Sequence, residues 1–520
     1  MMPQTPTLAK RYGFKLMANA ASVPVYLLME ALLPRALGPQ MYGNYSFATN
    51  LFQQFSGFLD MGTSTCFYNA LSRRQNEHGL VAFYLLLISG IAILAGLASV
   101  ALLWEPLGNL LMPGVPLWLA PLAAGWAFFT WLGRVFRSMN DAYGQTVPSE
   151  TGRTAVSLLG LGLLCLLFFT GWLDIGTLFF QQYLVLLATA AVFWHVCQKY
   201  WKNAGQGPQF TLSGAEMRLY GREFFDYSHP LLIQALLSFF MLTAERWLLQ
   251  WFDGSTQQGF YALSQKVSMA CFLFVSAMTP LLMRELSIAW GKKDVAAMGR
   301  LMTRFAPLLY ALAAYFSCFT LVEAKTLVHI FGGQEFAAAI LPVQIMSLYP
   351  LHQAYGQMAG SVFHATGRTK ILRNITAAEC VYGFAAAWFL LAPAQFLGLN
   401  LGAAGLAIKT VCVQIITVNM YLWLASRFIP FNFGRNLLHQ LACLGIMLAL
   451  AFASRWLTFQ LGVLIPSAGE DSIWRFICSG IVYSVAIGIL CAVAPQILGA
   501  SRNEMRELKI CFGQFLARQK

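Results

Sequence analysis

An acid and a base stand side by side at Glu245 and Arg246, inside the strongly apolar stretch "FMLTAERWLLQWF" that runs from 240 to 252. Neighbours on a helix point about 100° apart, so the two cannot neutralise each other face to face. Glu245 shares a face with Ser238 and Gln234, and Arg246 shares one with Thr243 and Gln250. An ionised group at mid-bilayer costs roughly 2.5–3.5 kcal/mol on insertion scales, so a purely supporting helix would gain by replacing both. Lys266, Lys409, Asp60 and Glu30 also sit in apolar surroundings. Arg246 lies about 10 Å, at 1.5 Å per residue, below the outer end of its segment. Lys266 and Lys409 lie at a similar depth, Glu30 shallower and Asp60 deeper. Lysine and arginine suit phosphate and related anions, as point charge and fork respectively. The carboxylates suit a proton or small cation. Together they point to a hydrated, net cationic central cavity with embedded carboxylates.

The elements that must carry these residues are membrane-spanning helices. Of 520 residues, 58% are hydrophobic and only 11% charged, and the mean hydropathy is +0.60, against roughly 25% charged residues in a soluble domain. Runs of about 20 mostly apolar residues fall near 14–33, 44–70, 80–103, 116–135, 154–172, 176–197, 227–251, 258–282, 304–322, 337–364, 374–393, 401–425, 437–454 and 475–497. The expected fold class is therefore an all-α polytopic membrane protein of about fourteen spans. In the second, Ser46, Asn50, Gln53, Gly57, Asp60 and Ser64 recur at steps of three or four and make one polar face, which must meet protein or water rather than lipid. The tenth repeats this with Gln353, Gln357, Gly360, Ser361 and His364. Pro24, Pro280, Pro307, Pro342 and Pro350 predict kinks.

The net charge of +13 raises the question of a nucleic-acid partner, and the distribution of cations answers it. With the N-terminus in the cytoplasm, every second loop is basic, and only Arg35, Arg246, Lys266, Lys325, Lys409, Arg455 and Arg475 fall elsewhere. That is the positive-inside pattern, a topology signal, and no nucleic acid is expected. It places both termini in the cytoplasm. The apolar run after Lys10, Arg11 and Lys15 continues too far for a cleaved leader and is expected to be a retained span. The eleven cysteines lack C-x-x-C or zinc-type spacing, so neither disulfides nor a metal or other cofactor is expected. Glu379 reads as a snorkelling residue, His229 and His439 as interfacial, and His352 and His364 as core histidines. Glu30 is near enough to the interface to snorkel as well.

The longest loop contains "SGAE", a capping box with Ser213 as N-cap and Glu216 three residues on. Met217, Tyr220 and Phe224 follow at helical spacing, so an amphipathic helix on the inner leaflet, or an ordinary linker helix, is expected. A shift of 216 positions places Gly259 on Gly43, Tyr261 on Tyr45, Phe274 on Phe58 and Thr279 on Thr63. The expected organisation is an N-terminal lobe (1–197, spans 1–6), a cytoplasmic linker with the amphipathic helix (198–226), a C-terminal lobe (227–425, spans 7–12), two extra spans (426–497) and a basic cytoplasmic tail (498–520). Two pseudo-symmetric six-span lobes can rock about a central cavity, as secondary transporters do.

"LLPRALGPQMYGNYSFA", "FLDMGTS" and "LSRR", then "AERWLLQWFDGSTQQGFYALSQKVS", "FHATGRTKILRN" and "GLNLGAAGLAIKT", resemble the Wzx-type polysaccharide flippases of the multidrug/oligosaccharidyl-lipid/polysaccharide exporter superfamily. That family usually has Asp where Glu245 stands and a small or hydroxylated residue where Lys409 stands. The resemblance covers spans 1–2 and 7–12. It implies a MATE-like fold of fourteen spans and, in the bacterial inner membrane, movement of undecaprenyl-diphosphate-linked oligosaccharide units for O-antigen, capsule or exopolysaccharide. Substrate contacts are then expected at Arg246, Lys266 and Lys409, and ion coupling at Glu245, Asp60 and Glu30. The partners expected are the lipid-linked oligosaccharide, membrane lipids, and a glycan polymerase and chain-length proteins of the same pathway. Two other classes compete. A drug or cation antiporter would need an acid-rich aromatic cavity, which three deep cations oppose. A membrane-embedded polymerase, ligase or glycosyltransferase would need a large outer catalytic loop, whereas the longest here (455–474) has only Glu470 and Asp471.

Overall fold

The computed structural model describes residues 8–75, 77–203, 212–276, 279–462 and 473–499; among them the chain is helical and has no strand. The basic tail from Arg502 to Lys520 and the outer-loop acids Glu470 and Asp471 lie outside the described residues. The protein is an all-α polytopic membrane protein. Its helices are α1 (Leu8–Asp60), α2 (Thr63–Arg73), α3 (His78–Ala101), α4 (Glu105–Leu111), α5 (Leu119–Ala142), α6 (Thr146–Phe169), α7 (Ile175–Asn203), α8 (Gly214–Ser228) and α9 (Leu232–Ser276). There follow α10 (Thr279–Gly291), α11 (Val295–Val322), α12 (Ala324–Gly332), α13 (Ile340–Met346), α14 (Tyr349–Ala365), α15 (Thr369–Leu391), α16 (Gly402–Ala425), α17 (Phe433–Gly462) and α18 (Ile473–Val493). Nine described helices are long and apolar enough to cross a bilayer. The other expected spans fall on α1, α9 and α13–α14, which carry polar faces, kinks or breaks, so the count of fourteen stays an expectation.

The chain forms two compact units, Met1–Gly259 and Phe260–Lys520. In the first, Phe67, Leu71, Tyr84, Trp131, Met139, Phe193 and Cys197 bring α2, α3, α5 and α7 into one core. The predicted capping box starts α8: the Glu216 amide donates to Ser213 Oγ at 3.2 Å, and the Ser213 amide donates back to Glu216 Oε2 at 2.8 Å. Tyr220 and Phe224 on one face of α8 are buried in that core beside Phe83, while Met217, Leu219 and Phe225 on its other side are exposed. In the second unit, Leu286, Met302, Tyr310, Tyr355, Phe363, Leu422 and Met447 make a core from α10, α11, α14, α16 and α17. Ile477, Ile481, Val485 and Ile489 run along α18 at four-residue steps and are all exposed, as a lipid-facing helix requires.

The expected tenth span is broken. α13 ends at Met346 and α14 restarts at Tyr349, with Pro350 at the helix start, where its missing N–H is unneeded. The two long helices are also bent, and at equivalent places. α1 turns at Gly38 (φ 69°, ψ 169°) and α9 at Gly254 (φ 77°, ψ −174°), 216 positions apart, the spacing of the sequence repeat. Both dihedral pairs belong to a region only glycine occupies readily. The bend at Gly254 is sharp: Arg246 and Gln258 touch, although twelve residues of straight helix would separate them by about 18 Å. The repeat extends to side chains. Tyr45 pairs with Gln182 of α7 at 3.0 Å, and Tyr261 pairs with Thr410 of α16 at 3.1 Å.

Candidate functional site

In the first unit the site is the bend of α9 and what holds it. Gln250 Nε2 donates to the Pro113 carbonyl (2.9 Å) and to Ser255 Oγ (2.8 Å). Ser255 Oγ in turn donates to Asn44 Oδ1 of α1 (2.5 Å), and the Trp247 indole donates to the Leu110 carbonyl (2.8 Å). Gly43 sits where α1 passes this bend; a Cβ there would lie 1.7 Å from the Ser255 carbonyl oxygen, and one on Gly259 would lie 2.1 Å from that of Pro39. The glycines matched by the repeat are thus points of backbone contact, and no larger residue fits without separating the segments.

Arg246 belongs to this framework. Its Nη1 donates to Gln258 Oε1 at 2.9 Å, Gln258 Nε2 donates to the Arg246 carbonyl, and the residue is only 6% exposed. Glu245, its neighbour in sequence, is half-buried. Glu30 is 9% exposed. Asp60 ends α1, and its oxygens accept from Thr63 Oγ1 (3.0 Å), the Ser64 amide (3.0 Å) and Ser64 Oγ (2.8 Å). It therefore ties off the turn through Met61 and Gly62 and starts α2, a capping arrangement that occupies much of its acceptor capacity.

In the second unit Lys266 is half-buried on α9 and Lys409 is 4% exposed on α16. The Tyr261–Thr410 hydrogen bond joins their helices one residue from Lys409 and about 7.5 Å along the helix from Lys266. A cationic pair of helices is thus assembled within this unit. Gln414 Nε2 donates to Gln353 Oε1 at 2.6 Å, so the polar face of α14 continues onto α16. His352 is buried with its ring edge-on to Tyr310, while His364 is exposed at the end of α14.

Several ionisable residues outside the sequence-based set are prominent. Glu150 is fully buried and accepts from Arg137 Nε (2.5 Å) and Arg153 Nε (2.9 Å). The sequence signal is an acid three residues before Arg153 in a basic segment, which counting cations for topology does not weigh. Glu323, 4% exposed, accepts from Ser479 Oγ at 2.8 Å and Thr326 Oγ1 at 3.2 Å, beside a cavity of about 250 Å³ also lined by Arg455 and Arg475. Asp253 lies in the turn between the expected seventh and eighth spans, where burial pushes its carboxyl up to about 6. One of its oxygens has no hydrogen-bond partner among the described residues. Among the described residues no disulfide joins two cysteines, and no cluster of three or more groups that could hold a metal is present.

Residues 8–282 match the model of the polysaccharide biosynthesis protein family. No curated protein matches the chain in sequence. The structure of the lipid II flippase MurJ in an inward closed conformation is similar at 13% identity, over 92% of this chain and 98% of that one, with a TM-score of 0.64. An inward-facing multidrug resistance MATE family transporter of the MOP superfamily is similar at 13% identity, over 80% and 98%, with a TM-score of 0.60. A MATE transporter from Vibrio cholerae gives 19% identity, over 81% and 95%, with a TM-score of 0.51. At such identities the likeness speaks for the fold, which is MATE-like as the sequence implies.

Proposed function

The chain belongs to the polysaccharide biosynthesis protein family, and from that premise we propose that it is a flippase carrying undecaprenyl-diphosphate-linked oligosaccharide units across the bacterial inner membrane. Proteins of its superfamily are transporters rather than enzymes. Arg246, Lys266 and Lys409 bind the diphosphate and the polar or acidic glycan head, while the lipid tail stays in the membrane. The observation that carries this reading is the pairing of the Lys266 and Lys409 helices through Tyr261 and Thr410. Two deep cations on joined helices have an energetic cost that anion binding offsets. Arg246 and Lys409 are buried at present, so access to them requires the helices to part, as alternating access provides.

Glu245 is the main coupling residue, because its half-buried carboxylate lies one position from Arg246. Glu30 is a second such site. Asp60 contributes through the α1–α2 turn, where its release from Thr63 and Ser64 accompanies movement of α1. The termini face the cytoplasm, and the product passes to a polymerase and chain-length proteins of a surface-glycan pathway. Replacing both Arg246→Ala and Lys266→Ala, at unchanged protein level in the membrane, reduces surface glycan at least about tenfold, the equivalent of 1.4 kcal/mol. Lipid-linked repeat units then accumulate facing the cytoplasm. Normal export in that double variant removes the anion-binding assignment, and absence of accumulation in a gene deletion removes the flippase reading.

A further inference from the structure

Where the α10–α11 and α16–α17 connections meet in the second unit, a cleft of about 1460 Å³ opens, and none of its residues belongs to the site described above. Its charge is one-sided: Lys292, Arg300, Arg304 and Arg435 line it against only two carboxylates, Glu285 and Asp294. Both acids are already engaged. Glu285 is 2.7 Å from Arg284, and Asp294 accepts from the Ala297 amide at the start of α11 (2.7 Å) and faces Arg300 at 3.4 Å. The cations are exposed at the mouth.

The deeper wall is polar and unsatisfied. Asn436 of α17 lines the cleft and is 4% exposed; the Tyr355 hydroxyl faces its side chain, and neither its oxygen nor its nitrogen has a close, well-aligned hydrogen-bond partner among the described residues. One turn on, His439 is held through Nε2 by the Ile497 carbonyl at 2.9 Å, while its Nδ1 is buried without a partner. Buried polar groups are nearly always satisfied, so these mark where a ligand's polar atoms belong. The walls are tightly packed on both sides of α11. A Cβ on Gly299 would lie 2.5 Å from the Pro430 oxygen, and one on Gly499, at φ +74°, would lie 2.4 Å from Pro307. The cleft is thus a preformed concavity at helix ends, in a basic stretch that the positive-inside pattern assigns to the cytoplasmic surface.

We propose that this cleft binds the phosphate of an anionic ligand at the membrane surface, with Arg300 and Arg435 clamping its oxygens and Asn436 hydrogen-bonding it from the floor. Arginine forks match phosphate geometry, and basic pockets at helix ends collect phosphate headgroups. Two sources share this chemistry, an anionic phospholipid headgroup and a soluble diphosphate. The test uses the full-length protein in detergent or nanodiscs, with binding read by native mass spectrometry and by the shift in thermal unfolding. Phosphatidylglycerol and inorganic pyrophosphate are the probes, and phosphatidylcholine is the control.

Wild type is expected to bind phosphatidylglycerol more strongly than phosphatidylcholine, with binding that weakens as salt rises. Arg300→Gln/Arg435→Gln is expected to weaken it at least about tenfold, each charge-assisted bond being among the stronger kinds. Asn436→Leu, a variant close to the native side chain in volume that leaves both arginines in place, reduces the preference for phosphatidylglycerol over phosphatidylcholine. Stabilisation by pyrophosphate as well, lost in the same variants, assigns the site to a diphosphate rather than a lipid headgroup. The proposal is overturned if neither probe exceeds the control, or if both variants bind as wild type does. Arg246→Ala/Lys266→Ala keeps this binding, which separates the cleft from the transport site.

Discussion

Arg137 and Arg153 in the first unit, and Lys292, Arg300, Arg304 and Arg435 in the second, are clusters of cations at helix ends that come to opposite states. The first closes on Glu150, which is fully buried and contacted by both arginines. The second opens on a large cleft with four cations against two carboxylates, Glu285 beside Arg284 and Asp294 beside Arg300. The difference lies in where the balancing charge sits. A carboxylate held between two guanidinium groups uses up their charge, whereas cations in excess of their carboxylates keep the capacity to take an anion. Basic residues alone therefore do not mark a site; their unmet valence does.

Removing the closing charge tests this comparison most severely. Glu150→Ala removes the buried carboxylate that both Arg137 and Arg153 contact and is expected to cost about 3 kcal/mol, the low end for a broken buried pair because both arginines are partly exposed. It should appear as a lowered unfolding midpoint in detergent, and an unchanged midpoint would mean the triad is ornamental. A much smaller effect is expected at the open cleft: Asn436→Leu removes an amide without a close hydrogen-bond partner among the described residues and changes ligand-free stability by about 1 kcal/mol at most by the same measurement.

Asp253 is an intermediate case, a carboxylate partly buried without a cation. Its folded-state value is raised to about 6, whereas an unfolded aspartate titrates near 4. The folded form holds the proton more tightly, so stability is greatest below about pH 4, falls as the pH rises to about 6, and is level above that. Allowing for solvent screening, the fall is about 1 kcal/mol, and Asp253→Asn should abolish that slope in unfolding curves taken across the window. The smallest effect is Arg435→Gln, an exposed cation whose loss should change ligand-free stability by less than about 0.5 kcal/mol. A larger loss would show that the cleft, like the triad, serves the fold.

Legibility in the sequence followed the range of each interaction. The Ser213–Glu216 capping box was readable because both partners lie within one turn. The 216-residue spacing was readable as matched glycines and tyrosines, yet the reason for Gly43 and Gly259 emerged only when their backbones met Ser255 and Pro39. Asp60 and its partner Ser64 share the polar face that periodicity shows, but the turn at Met61 and Gly62 that makes their contact a helix cap is not legible there. The tenth span reads as one apolar run with kinks expected at Pro342 and Pro350, because its hydropathy is continuous across Ser347 and Leu348, where the helix in fact breaks.

The sequence by itself determined the solvent, the helical class, the recurrence of kinked helices and the presence of intramembrane charge, because hydropathy, glycine placement and positive-inside bias act on neighbours along the chain. Only the tertiary structure decided which charges are spent. Arg137 reaches Glu150 across a helix connection, Ser479 reaches Glu323 from 156 residues away, and Lys292, Arg435 and Asn436 line the same cleft. Charge neutralisation depends on distance in space, and a linear pattern carries no record of it until the helices pack.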